Sequence, residues 1–123
     1  MAMVDITPKP EVYREATAKG TIKLRPETVK RIREGKIEKG NPFETAKMAG
    51  ILAAKNTGSL IPLCHPLPLT NVKVDVKIES EELVSVTTTV KTRAQTGVEM
   101  EALVGTAVAV SYTHLTLPTI LLV

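Results

Sequence analysis

A chain of 123 residues with a formal net charge of +3 and 43% apolar residues is one domain with a real core, not a disordered segment. The aromatics are Tyr13, Phe43 and Tyr112 only, so Val, Leu, Ile, Ala and Met must build that core, and the shortage argues against a base-stacking platform for single-stranded nucleic acid. The basic residues crowd the first half, which suits a phosphorylated ligand or an acidic partner and equally an ordinary solvated surface; the single cysteine, Cys64, allows no internal disulfide and points to a reducing compartment.

The opening stretch, MAMVDITPKPEVYRE, has no apolar signal-peptide core. Gly20–Leu24 reads as a short strand. The run RPETVKRIREG then predicts a helix, with Pro26 in its first turn, Val29 and Ile32 on one face and Gly35 as its stop. A charged loop, KIEKGNP, leads to a second helix. Asn41 is its expected N-cap, Pro42 its first residue and Glu44 the reciprocal cap partner. Lys55, Asn56 and Gly58 mark its end, and its Ala- and Gly-rich interior lets another layer approach closely.

NVKVDVKIE alternates without error, placing Val72, Val74, Val76 and Ile78 on one face. The turn SEE follows, and LVSVTTTVKT continues with Val84, Val86, Thr88 and Val90 inward, which predicts an antiparallel hairpin with one buried face. TGVEMEALVGTAVAV predicts a third helix, capped by Thr96 with Glu99 at capping-box spacing. Met100, Leu103, Val104, Ala107 and Val108 form its apolar stripe. The sum is an α+β domain, helices packed on one face of an antiparallel sheet. Ala102–Val123 contain no Lys, Arg, Asp or Glu, a length that could just span a bilayer; the Ser and Thr residues, His114 and Pro118 within it argue against a membrane.

Several side chains are candidates for chemistry. Adjacent Cys64 and His65 are poorly placed to share a metal, so no metal site is expected, and among leucines and prolines Cys64 reads as an inert thiol. Pro62, Pro66 and Pro68 stiffen the segment around His65, whose imidazole can donate, accept or carry charge near neutrality; a satisfied structural histidine is the alternative. Glu99 and Glu101 lie about 200° apart around a helix and should not share a face. Glu99 can serve simply as a cap, whereas Glu101 has no comparable local task. Lys39 precedes a helix N-terminus, where anions are favoured, and can equally be a solvated surface lysine. Lys55, at the other end of that helix, can satisfy its last carbonyls. No phosphate-loop or dinucleotide-binding motif is present.

The blocks KGNPFETAKMAGILAAKNTGSLIPLCHPLPLTNVKVDV and TGVEMEAL together resemble the molybdenum cofactor biosynthesis protein C family, the cyclic pyranopterin monophosphate synthases. The likeness runs from MVDIT to about Val110, and we read residues 1–110 as the synthase-like domain. It implies a ferredoxin-like fold and a cytoplasmic homo-oligomer, a hexamer built from dimers with active sites between subunits. It also implies a lyase that takes a cyclised dihydroguanosine triphosphate to cyclic pyranopterin monophosphate and releases pyrophosphate. No cofactor, nucleic acid or membrane partner is implied. Carried onto this sequence, the substrate-binding positions are Leu63, Cys64, His65, Met100 and Glu101, with Lys55 and Glu99; Lys39, His65 and Glu101 take the catalytic roles.

The tail departs from that pattern. The family's helix continues to an Asp and, three residues on, a Lys; counted without gaps these fall on Leu115 and Pro118. Neither transfers a proton, and Pro118 would break a helix. Residues 111–123 therefore read as an atypical, exposed apolar tail. This leaves a second reading, a pterin- or nucleotide-binding fragment without chemistry. A third, a basic nucleic-acid module, is opposed by the scarcity of aromatics and of a concentrated basic run.

Overall fold

A computed structural model describes residues 2–37 and 40–117. Three strands and four helices follow in the order β1 (Val12–Lys23), α1 (Pro26–Arg33), α2 (Pro42–Lys55), α3 (Thr57–Leu60), β2 (Leu69–Ile78), β3 (Leu83–Ala94) and α4 (Glu99–Thr116). The sheet is antiparallel in the order β1-β3-β2, so the hairpin partner β3 is central and β1 and β2 are its edges. Helices α2 and α4 pack on it, an α+β arrangement consistent with the ferredoxin-like class. Among the described residues no helix is long and apolar enough to cross a membrane.

The hairpin follows its alternation. Val72 pairs with Val90, Val74 with Thr88, Val76 with Val86 and Ile78 with Val84, so each inward residue of β2 meets one of β3. Ser80 closes the turn by accepting the amides of Glu82 and Leu83. This face, with Leu24, Val29, Ala46, Ala109 and Leu117, forms the larger part of the core.

The first strand is longer than its sequence suggests. It begins at Val12, not Gly20, and its inward residues are Arg14, Ala16, Ala18, Gly20 and Ile22. Ala and Gly have weak strand preference, but they suit this position because α4 lies directly on it. A Cβ on Gly20 would stand 3.0 Å from Thr106 Cγ2, and Thr106 Oγ1 donates to Ala18 O at 3.3 Å.

Helix α2 starts as expected: Asn41 Oδ1 accepts the Phe43 amide at 2.9 Å. Glu44 pairs with Lys47. Helix α4 differs in two ways. Its N-cap is Val98, with no side-chain cap bond, so Glu99 is its first residue and Thr96 does not cap it. Its buried face is Glu101, Ala102, Gly105, Thr106, Ala109 and Thr113, whereas Met100 and Leu103 of the expected core stripe are exposed. The cause is the closeness of α2. At the crossing, a Cβ on Gly50 would come within 3.0 Å of Gly105 O, and one on Gly105 within 3.1 Å of Gly50 O. Only small residues fit there, and the larger ones turn outward. The helix also runs beyond Val110. Thr113 and Leu117 are fully buried, so the expectation of a wholly exposed apolar end does not hold there.

Candidate active site

Because α2 and α4 run antiparallel through the Gly50–Gly105 crossing, the last residue of α2 lies beside the first turn of α4. Lys55 and Glu101 thus line one recess of about 310 Å³ with Ala54, Gly58, Ser59, Pro66 and Leu67. A second hollow of about 430 Å³ continues from it along β2, sharing Lys55 and Leu67. The proline-rich segment forms one wall. It is neither helix nor strand from Ile61 to Pro68, as three prolines dictate. It is pinned at its far end by Thr92 Oγ1, which donates to Pro68 O at 2.6 Å. Gly58 lets it approach closely, since a Cβ there would stand 3.0 Å from Pro66 Cα.

Glu101 is the distinctive group. It is 2% exposed, its Oε1 has no hydrogen-bond partner among the described residues, and Cys64 Sγ donates to its Oε2 at 3.8 Å. Burial raises its pKa above the ordinary carboxylate value. Its own amide and the Cys64 thiol oppose the rise, while the neighbouring Glu99 adds to it. A helix N-terminus normally favours a carboxylate anion; here desolvation outweighs it. Cys64 is pushed up too, first by burial and then by the Glu101 charge and hydrogen bond. Its thiolate is suppressed, which is the chemistry of a wall, not a nucleophile. Glu99 turns away, its carboxylate folded back over Gly97 in the space a Cβ would take. The two glutamates serve different surroundings, as their spacing requires.

His65 follows Cys64 but its ring is engaged elsewhere: Nε2 donates to Val4 O at 2.6 Å. Leu63 and Met100 are exposed. The structure therefore brings Cys64, Glu101 and Lys55 together, and leaves His65 beside them on the same stiff segment. Lys39 lies outside the described residues. Sequence reasoning missed Ser59, Pro66 and Leu67 as lining residues; the glycine after α2 was the available signal for a close approach there. Nothing local marked Val4 as a partner of His65.

Known proteins of one family resemble this chain. A family profile described as the MoaC family matches residues 3–116. A "Probable cyclic pyranopterin monophosphate synthase" of Pyrococcus abyssi is 57% identical over 107 residues, which is 87% of this chain and 67% of that protein. The "Cyclic pyranopterin monophosphate synthase" of Thermomicrobium roseum is 53% identical over 108 residues, 87% of this chain and 65% of its own length. That of Parvibaculum lavamentivorans is 53% identical over 116 residues, 94% of this chain and 70% of the relative. The chain thus spans about two thirds of the length of the curated relatives it matches. With the profile covering nearly all of it and identities above half, the chain belongs to the MoaC family.

Proposed function

We propose that this chain is a cyclic pyranopterin monophosphate synthase of molybdenum cofactor biosynthesis. It converts 3′,8-cyclo-7,8-dihydroguanosine 5′-triphosphate to cyclic pyranopterin monophosphate and releases pyrophosphate. The observation that carries this reading is buried Glu101 Oε1, without a hydrogen-bond partner among the described residues, at the wall of the recess that Lys55 also lines. A buried acceptor without a donor is costly until something fills the role. The ring N–H groups of a guanine-derived substrate supply such donors, and Lys55 offers a cation for its phosphates.

Forming a cyclic monophosphate from a triphosphate requires a substrate hydroxyl to attack the α-phosphorus while pyrophosphate leaves with its electron pair. The hydroxyl proton needs an acceptor, and the leaving group needs positive charge. In this reading His65 and Lys39 handle protons and charge. Glu101, with Met100, holds the heterocycle; Leu63 and Cys64 wall the pocket, and Glu99 tunes Glu101 by its charge. The activity is that of a phosphorus–oxygen lyase in the cytoplasm.

The reading includes self-association, a dimer unit within a hexamer with sites completed between copies. Its support is the exposed apolar side chains Met48 and Leu52 on α2 and Met100 and Leu103 on α4, which a second copy would cover. It also keeps the division at residue 110, because Leu115 stands in α4 where the family pattern has its Asp and Pro118 lies outside the described residues.

The test is pyrophosphate release from the cyclised triphosphate by the full chain and by His65→Ala and Glu101→Gln. Turnover lost in His65→Ala and weakened binding in Glu101→Gln support the assignment. Full turnover by His65→Ala removes His65 from it, and binding without pyrophosphate release favours the non-catalytic fragment.

A further inference from the structure

The residues ahead of β1 form no helix or strand, yet they are tied at three points. Arg14 Nε and Nη2 donate to the carbonyls of Ala94 and Gln95, at 3.2 and 3.4 Å, fixing the end of β3. From that fixed backbone, Gln95 Nε2 donates to Thr7 O at 3.3 Å and Lys9 O at 3.1 Å. Asp5 Oδ1 accepts both the amide and the hydroxyl of Thr7, at 2.9 and 2.6 Å, which folds the chain so that Val4 O meets His65 Nε2. The Asp5 carboxylate also lies within the field of the His65 ring.

A carbonyl oxygen can only accept. The 2.6 Å contact therefore keeps a proton on Nε2 and, in the neutral ring, leaves the lone pair on Nδ1. We infer that the segment Val4–Lys9 is a positioning strap for His65: Gln95 anchors it, and the Val4 carbonyl selects which ring nitrogen is free to take a proton. Val4, Asp5 and Gln95 act through His65 and need not touch substrate. The catalytic meaning of the strap rests on the synthase reading, but the contact does not.

The chain has two histidines, His65 and His114, so their ring signals can be told apart with a His114→Gln variant. Proton–nitrogen spectra of the full chain are expected to show the His65 ring Nε2–H directly, its exchange with water slowed about fivefold or more, the factor one net hydrogen bond supports. Gln95→Glu keeps the side chain's size but sets a carboxylate against two carbonyls, and Gln95→Leu removes the donor without charge. Asp5→Ala releases the turn. Each is expected to abolish the slowed signal with helix and strand content unchanged. If the folded wild type shows no protected ring N–H, or if the signal survives in Gln95→Glu and Asp5→Ala, the strap is wrong. A protected signal alongside full turnover by His65→Ala would instead retain the strap and discard the catalytic role.

Discussion

Cys64 Sγ lies 3.8 Å from Glu101 Oε2, while the other oxygen of the same carboxylate has no hydrogen-bond partner among the described residues. A weak thiol donor and the residue's own amide only partly offset the burial of this acid. The arrangement disfavours charge on both groups, and its effects are measurable without substrate.

Glu101 has a folded pKa raised above its ordinary 4.5. The native state therefore binds its proton more tightly than the unfolded chain does. Stability is full below the unfolded value and falls as pH rises from about 4.5 through the folded value, then levels off. Glu101→Gln removes this loss. Urea midpoints from about pH 4 to about pH 8 are expected to show the variant's advantage growing with pH, to about 1 kcal/mol or more at neutrality. A difference that stays flat across the range would contradict the assignment.

The Cys64 thiol should be a poor nucleophile. Iodoacetamide labelling of the folded protein at neutral pH is expected to be slower than that of a free cysteine, because burial and the Glu101 charge suppress the thiolate. Glu101→Gln should accelerate it severalfold by deleting the charge while keeping the shape. Equal rates in the two proteins would mean that the carboxylate does not govern the thiol.

Gly50 and Gly105 set the distance between α2 and α4. Gly105→Ala places a methyl 3.1 Å from both Gly50 O and Thr88 Cγ2. Relief requires a shift of helix or sheet, and the usual cost of such overpacking is about 1–3 kcal/mol. Thermal unfolding should show a clear fall. An unchanged or higher melting temperature would show that the crossing has slack, since alanine otherwise favours a helix over glycine.

Thr88 offers the opposite change. It is fully buried in β3, and its hydroxyl oxygen has no hydrogen-bond partner among the described residues. Thr88→Val keeps the branched shape and removes the unsatisfied group, so stability should rise by about 1 kcal/mol. Chemical denaturation is the check, and a destabilised variant would reveal a partner for that hydroxyl.

What the sequence made legible was whatever depended on neighbours along the chain. The alternation Val72–Val74–Val76–Ile78 gave the hairpin its inward face, and Asn41-Pro42 gave α2 its start. What depended on another element pressing close was not legible. The part of β1 ahead of Gly20 looks unlike a strand because Ala16 and Ala18 are chosen for the helix above them. The stripe of Met100 and Leu103 looked like core because periodicity reports a helix face, not which face is covered. Within the site, Glu101 stood out because α4 gave it no local task; the contact of His65 with Val4, 61 residues away in sequence, had no local signature.

Among the described residues β1 has a hydrogen-bonded neighbour on one side only. Along its other flank, twelve residues carry alternate amides and carbonyls still able to recruit a further ribbon of chain. Concentrated refolding should therefore be prone to edge-to-edge strand pairing between chains, and dilution, or a charged or proline substitution on that flank, should raise the yield.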